Sequence, residues 1–210
     1  MNPTKPEVWM IRIKNCKLSN HYKKISSYSW KRAGFKVRYY DAVTPKTMPR
    51  YRELNFAQNR RKMMKGKYFS ETEQAVWYSH YNLWHFCAFS VKPIIIAEHD
   101  AVLVNPIPES LYEEDIVSFG YSSNLSYLND NKNTVKAPVK YLAGTAYYIK
   151  PTIASKMYEH HSNPGATKIA INCDGIVHDF VDMYGKRYNS VTPYCNNIKG
   201  RTIVHPKVEK

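Results

Sequence analysis

The chain has 210 residues, enough for one domain with a substantial apolar core. A hydrophobic fraction of 43% and 18 tyrosines exclude an intrinsically disordered chain. The 31 Lys and Arg residues against 17 Asp and Glu leave a net charge of +14. That balance favours polyanionic partners, namely nucleic acid, anionic lipid headgroups or phosphorylated glycans, unless it serves solubility alone.

Cysteine usage and hydropathy indicate a cellular compartment. The four cysteines are widely spaced and form no Cys-x-x-Cys pair. This favours reduced thiols and a cytoplasmic protein over a disulfide or zinc framework. No segment resembles a signal peptide or approaches an apolar span of about 20 residues, so we expect no stable membrane insertion and only peripheral membrane contact.

The first elements predict a strand, a helix and a second strand. Residues 8–13 have the pattern of a β-strand, and residues 19–32 that of a helix that Gly34 stops. Residues 35–40 form the next predicted strand, which Pro45 closes. This spacing indicates a right-handed βαβ crossover, and so an α/β fold with a Rossmann-like, mostly parallel sheet flanked by helices.

We predict a single domain over residues 1–210. Within it, residues 46–67 stand apart by their high content of Lys and Arg. Eight Lys or Arg residues lie there among Tyr51 and Phe56, with Glu53 as the one acid. The segment is either a flexible insertion or an ordered basic arm.

A helix start follows this basic insertion. Ser70 and Glu73 have the spacing of a capping box, and the helix should run to about residue 89. Steps of four and three residues place one set of side chains on a single helix face: Glu73, Trp77, His80, Trp84 and Cys87. His80 is either a core histidine bonded to backbone or a functional group on this face.

The next predicted strand is followed directly by charged residues. Three isoleucines precede Glu98, His99 and Asp100, and apolar residues follow. The carboxyl edge of a parallel sheet is where α/β folds hold ligands. Residues two apart on a strand point the same way, so the two carboxylates face one side together and His99 faces the other. Neighbouring carboxylates repel unless a cation such as Mg²⁺ or Mn²⁺ lies against them, so the sequence predicts a metal site. The alternative is an exposed turn with solvated acids.

The C-terminal part continues the alternation of strands and helices. Residues 116–119 predict a strand, residues 122–136 a polar loop, and residues 147–149 a strand after a bend at Gly144. Thr152 is expected to cap a helix that runs to residue 161. A last helix is predicted with Asp174 near its N-terminus, and His205 lies in the tail.

Several segments together resemble glycosyltransferase family 25, the lipooligosaccharide-type and collagen-type sugar transferases. In chain order they are VWMIRI, YYDAVTP, FSETEQAVWYSHYNLW, IIIAEHDAVL and YLAGTAYYIKP, which cover residues 8–175 with gaps. Two departures stand out. His99 replaces the middle Asp of the family's acidic motif, and HYKK replaces an arginine-rich turn after the first strand.

The resemblance implies a GT-A-like fold and transfer of a sugar from a nucleotide-sugar, with a UDP-sugar favoured. It implies Mn²⁺ or Mg²⁺ held by Glu98 and Asp100, with His205, or else His178, as third ligand. Asp174 is the candidate base, unless it only stabilises a helix N-terminus. The expected nucleotide-sugar contacts are Ile13, Lys14, Asp41, Ala42, Val43, His80 and His99. The expected acceptor contacts are Gly144, Thr145, Tyr147, Arg60, Arg61 and Lys62.

Three interpretations of the acceptor stay open. The first is a hydroxymethylated pyrimidine in phage DNA, gripped by Arg60, Arg61 and Lys62, in the cytoplasm of an infected cell. The second is a lipooligosaccharide or other glycan. The third is a non-catalytic nucleic-acid-binding protein on the same fold.

Overall fold

The computed structural model describes residues 5–48, 70–119, 137–138, 144–162, 189–190 and 195–197. The helices are α1 (Lys17–Arg32), α2 (Glu71–Ala88) and α3 (Pro151–Ser162), with a 3₁₀ turn at Glu109–Glu113. The strands are β1 (Glu7–Arg12), β2 (Val37–Asp41), β3 (Ile94–Glu98), β4 (Ala101–Leu103), β5 (Ile116–Ser118), β6 (Ala137–Pro138), β7 (Ala146–Ile149), β8 (Asn189–Ser190) and β9 (Cys195–Asn197).

Five strands form the main sheet, in the order β2-β1-β3-β7-β5. β1 lies parallel to both β2 and β3, and β7 lies antiparallel to both β3 and β5. Thus β2, β1, β3 and β5 share one direction and only β7 opposes them. The predicted α/β fold with a mostly parallel sheet is confirmed. Short antiparallel pairs join β4 to β9 and β6 to β8.

Local hydrogen bonding and backbone chemistry determine where the helices begin. Two of the three helices begin at a different residue than predicted. Cys16 caps α1, since its sulfur accepts a hydrogen bond from Ser19 N, so the helix begins two residues before Ser19. Both bonds of the capping box at Ser70 and Glu73 are present, as predicted. α3 begins at Pro151 rather than after a Thr152 cap, because proline at the first helical position needs no hydrogen-bond partner for its nitrogen.

The core lies on both faces of the sheet. Ile94 and Ile96 of β3 pack in a cluster with residues of α2 and α3. Ile95 and Ala97, which point the other way, pack with Trp30 of α1. β3 is therefore a fully buried central strand, as its run of isoleucines predicts.

Several predicted features lie outside the described residues. These are most of the basic insertion (49–67), the loop 122–136, the last helix, and the side chains of Arg60, Arg61, Lys62, Asp174, His178 and His205.

Substitution Ile95→Ala should lower the free energy of unfolding by about 2–5 kcal/mol, because it opens a cavity between α1 and the sheet. Val91→Ala is the control, since Val91 is 94% exposed, and it should change stability by less than about 0.5 kcal/mol. Urea unfolding measures both. Equal losses would contradict the placement of β3 at the centre of the core.

Candidate active site

The acidic stretch is a strand end followed by a turn. β3 ends at Glu98, residues 99–100 form a turn, and β4 begins at Ala101. Glu98 Oε1 lies 3.8 Å from His80 of α2, whereas the His99 ring stacks beside Tyr22 of α1, so the two side chains face different helical layers, as side-chain alternation predicts. Glu98 and His99 line the same cleft, and Asp100 is not among the residues that line it.

This cleft lies at the carboxyl ends of β1 and β2, against the first turns of α2. It is open to solvent, and its cavity volume is about 90 Å³. Six of the predicted site residues line it: Ile13, Ala42, Val43, His80, Glu98 and His99. The structure therefore brings together residues that are far apart in the sequence.

Lys14 and Asp41, also predicted as nucleotide-sugar contacts, lie beside the cleft rather than in its lining. Asp41 pairs with Arg12 at 2.8 Å and with Lys14 at 3.5 Å. Partial burial acts to raise the pKa of Asp41, but the hydrogen bond from Arg12 and the charges of Arg12 and Lys14 outweigh it and lower that pKa. Two cations thus stand near the rim of the cleft.

A buried chain of polar contacts holds His80 next to Glu98. The Trp84 indole N–H donates to the Tyr147 hydroxyl at 2.8 Å, and that hydroxyl lies 2.9 Å from His80 Nδ1. Because indole can only donate, the Tyr147 hydroxyl accepts from Trp84, and it makes a second hydrogen bond with His80 Nδ1. The other ring nitrogen, His80 Nε2, lies 3.8 Å from Glu98 Oε1. His80 is therefore a buried histidine bonded to a side chain, not to backbone.

The acceptor residues predicted around β7 divide into two groups. Tyr147 is 1% exposed and its hydroxyl serves Trp84 and His80, so its position favours support of His80 over contact with an acceptor. Thr145 lies at the sheet edge, where its carbonyl accepts a hydrogen bond from Glu98 N at 2.8 Å. Gly144 precedes it in the chain and is buried.

Helix α1 fixes the turn from the other side. The carbonyl of Ala101 accepts hydrogen bonds from Ser26 Oγ and from Trp30 Nε1, the latter at 2.9 Å. The His99 ring stacks beside Tyr22 of α1, with 6.3 Å between ring centroids. The acidic turn is thus anchored to both helical layers.

Asp100 and His99 are half-buried, and each has a buried polar atom without a visible partner in the described part of the chain. Within the described ranges, Asp100 Oδ1 and His99 Nε2 have no hydrogen-bond partner. Burial, with a contribution from the negative charge of Glu98, raises the pKa of Asp100 to about 6. Burial also lowers the pKa of His99, against the effect of Glu98. Such orphaned atoms are costly unless a ligand or ion meets them.

Glu98 and Asp100 fit a divalent cation as an incomplete ligand set. Among the residues that the structure describes, no three His, Cys, Asp or Glu side chains form a ready-made metal cluster. Mg²⁺ and Mn²⁺ characteristically take one or two carboxylates and complete their shell with water and substrate phosphate. The unsatisfied Asp100 oxygen suits this arrangement. The predicted third ligand, His205, lies outside the described residues.

Sequence reasoning missed one supporting residue of the cleft. Ser79 accepts a hydrogen bond from Val43 N at 2.9 Å and donates to Ala75 O at 2.9 Å. It thereby ties the loop after β2 to α2. Its place directly before His80 in the YSHYNLW segment was the available signal.

Substitution Tyr147→Phe should lower the free energy of unfolding by about 1–3 kcal/mol, because Trp84 Nε1 and His80 Nδ1 both lose their partner in the core. Tyr148→Phe is the control, since that hydroxyl donates only to a partly buried carbonyl, Tyr112 O, and its loss should cost about 1 kcal/mol or less. An equal or smaller loss for Tyr147→Phe in urea unfolding would contradict the assigned contacts.

Comparisons with known proteins bear on the identity of this cleft. The sequence matches the family model of glycosyltransferase family 25 (LPS biosynthesis protein) over residues 10–115. No curated protein matches it significantly. A crystal structure of a glycosyltransferase involved in the glycosylation of the major capsid of PBCV-1 is similar with a TM-score of 0.47 and 9% sequence identity, over 93% of this chain and 96% of that chain.

The family match covers half of the chain and contains every residue that lines the cleft, from Ile11 to His99. The chain belongs to glycosyltransferase family 25, and it is a glycosyltransferase.

Proposed function

We propose that this glycosyltransferase moves a sugar from a nucleotide-sugar, preferably a UDP-sugar, to a hydroxyl acceptor in a reaction that depends on Mn²⁺ or Mg²⁺. One observation carries the proposal. A buried strand leads into the acidic turn, and its Glu98 and His99 line a cleft together with four other predicted donor contacts, Ile13, Ala42, Val43 and His80.

The cleft provides two environments for the two ends of a donor. Apolar side chains cover much of its surface, among them Ile11, Val43 and Pro45, and suit a nucleoside. Glu98 and His99 lie together in the same lining and provide the polar region that a diphosphate needs. Lys14 is 68% exposed beside the rim and can attract the anionic donor from solution.

Glu98 and Asp100 would hold the metal, with His205 as the proposed third ligand. A divalent cation bound there supplies Lewis-acid stabilisation of the charge that grows on the diphosphate as the glycosidic bond breaks. The chain's own contribution is orientation. His80 stands 3.8 Å from Glu98 and is itself held by Tyr147, while Ser26 and Trp30 hold the carbonyl of Ala101 next to Asp100.

The acceptor hydroxyl must lose a proton during an inverting transfer. We propose Asp174 as the base that receives it, because Asp174 follows the GTAYYI strand in the family-like order. Gly144 and Thr145 are the proposed acceptor contacts in the described part of the chain. Their support is the bond between Thr145 O and Glu98 N, which puts this edge next to the acidic turn.

Two acceptors are proposed. A hydroxymethylated pyrimidine in phage DNA is supported by the net charge of +14 and by the cation-rich insertion at residues 46–67. The sugar chain of a lipooligosaccharide is supported by the family's description as an LPS biosynthesis protein. The third interpretation, a non-catalytic nucleic-acid-binding protein, loses its support because the chain belongs to an enzyme family.

Substitution Asp100→Asn should lower metal-dependent turnover of a UDP-sugar by at least about 100-fold, since it removes a charged ligand from the site. Glu109→Gln is the matched control, because Glu109 is exposed in the 3₁₀ element Glu109–Glu113 and does not line the cleft. Release of UDP, followed during titration with Mn²⁺, measures both. Wild-type turnover by the Asp100→Asn protein at all Mn²⁺ concentrations would refute the proposed site.

The DNA acceptor predicts tight, salt-sensitive binding to duplex DNA. Replacement of Arg60, Arg61 and Lys62 by Gln should weaken that binding and reduce the slope of log K against log salt by about 1 for each cation removed. Fluorescence anisotropy measures this slope. The lipooligosaccharide acceptor predicts turnover of a saccharide without DNA. If DNA is not bound, or if the triple variant binds it unchanged, the DNA acceptor is wrong.

A further inference from the structure

The unit formed by β1, α1 and β2 carries an unusual charge distribution. Between Glu7 and Asp41 there is no acidic residue, while nine cations occur: Arg12, Lys14, Lys17, Lys23, Lys24, Lys31, Arg32, Lys36 and Arg38. Glu7 pairs with Lys36 and Arg38, and Asp41 pairs with Arg12 and Lys14. The two acids therefore pair with four of the nine cations and neutralise two of their charges.

The remaining five cations are all on α1. They are Lys17, Lys23, Lys24, Lys31 and Arg32. In the part of the chain that the structure describes, none of them is in an ion pair. Lys17, Lys24 and Lys31 recur every seven residues and so form a row along one side of the helix. Such a row attracts a polyanionic surface rather than a single small anion.

α1 is also inverted with respect to an ordinary amphipathic helix. Its buried side chains are three serines and Trp30. Each serine hydroxyl has a hydrogen-bond partner: Ser19 Oγ accepts from Ile13 N at 2.9 Å, Ser26 Oγ donates to Ala101 O, and Ser27 Oγ donates to Lys24 O at 3.3 Å. The aliphatic side chains point outward instead, with Leu18 39% and Ile25 43% exposed.

These outward side chains form a stripe beside the lysine row. Leu18 and Ile25 are two helical turns apart and so share a face, and Tyr28, 65% exposed, extends it one turn further. Helices that lie on membranes combine such an apolar stripe with adjacent lysines. A DNA backbone would use the lysines but would gain nothing from Leu18 and Ile25.

The same helix adjoins the active site. Ser19 bonds to Ile13, which lines the cleft, and Tyr22 stacks beside His99. A surface that binds α1 would therefore lie close to the mouth of the cleft. Within the described ranges, no helix is long and apolar enough to cross a bilayer.

We propose that the outer face of α1, formed by Leu18, Ile25 and Tyr28 with Lys17, Lys24 and Lys31, docks on an anionic lipid bilayer. The lysine row meets the headgroup charge, and the aliphatic stripe enters the boundary of the acyl region. This docking goes beyond the transfer reaction, and it is measured without donor, metal or acceptor, so its failure would leave the proposed chemistry untouched.

Cosedimentation with vesicles tests the proposal. The full chain should bind vesicles of phosphatidylcholine mixed with phosphatidylglycerol, should not bind phosphatidylcholine alone, and should bind less as salt screens the charges. Lys24→Glu with Lys31→Glu should weaken binding at least about tenfold. Ile25→Ser should weaken it as well, because the apolar stripe contributes to membrane affinity.

Lys92→Glu with Lys156→Glu is the control with the same change in net charge. Lys92 is exposed before β3, and Lys156 is exposed on α3, across the sheet from α1. This pair should keep wild-type binding. Melting temperatures check that each variant folds. If the double variant Lys24→Glu with Lys31→Glu does not fold, Lys24→Gln with Lys31→Gln replaces it.

Three results would overturn the proposal. One is absence of binding to the anionic vesicles, and another is an equal loss in the α1 and control pairs. The third is a result in which the lysine substitutions weaken vesicle binding, Ile25→Ser leaves it unchanged, and the protein binds duplex DNA more tightly than vesicles. That result would assign the face to nucleic acid.

Discussion

Burial of β3 on both faces is the constraint on which the rest of the structure depends. The strand is enclosed by β1, β7 and both helical layers, so solvent does not reach its sides. The residues directly after its last apolar residue are therefore partly shielded from solvent. Here the chain places Glu98, His99 and Asp100. The free energy of burying such groups is unfavourable unless something compensates for it, and Asp100 shows the effect in a pKa raised to about 6. A cation with a diphosphate is the compensation that we propose.

Both helical layers hold this acidic turn in place. From the α2 side, Trp84, Tyr147 and His80 form a buried chain that ends 3.8 Å from Glu98. From the α1 side, Ser26 and Trp30 hold the carbonyl of Ala101. These buried hydrogen bonds position the residues on either side of the carboxylates, because a buried polar group is costly without its partner. Preorganised charge of this kind is what stabilises a developing negative charge most effectively.

Much of the fold could be predicted because its signals are local. The capping box at Ser70, the isoleucine run of β3 and the βαβ spacing each depend on neighbouring residues, and all three are confirmed. The end of β3 was harder to predict, since alternation of side chains says nothing about where a strand stops. Cys16 was not recognised as a cap because thiols are weak acceptors compared with Ser, Thr, Asp or Asn.

The candidate site divides in the same way. Motif order located Glu98, His80 and the loop at Ala42 and Val43, and these residues do line one cleft. The role of Tyr147 depends on contacts with residues 63 and 67 positions away in the chain, which no local pattern reveals. The inverted burial of α1 could not be predicted from its sequence pattern either, because serines are normally expected on the exposed face of a helix. Only tertiary structure shows that they point inward and that the aliphatic residues do not.

The most direct test of the account is a crystal structure of the protein with Mn²⁺ and UDP. Anomalous scattering locates the manganese without reference to the protein density. The account predicts one ion bound by carboxylate oxygens of both Glu98 and Asp100 and by the diphosphate, with His80 still bonded to Tyr147. An ordered UDP with no ion near either carboxylate, or with both carboxylates turned away from the diphosphate, would contradict it.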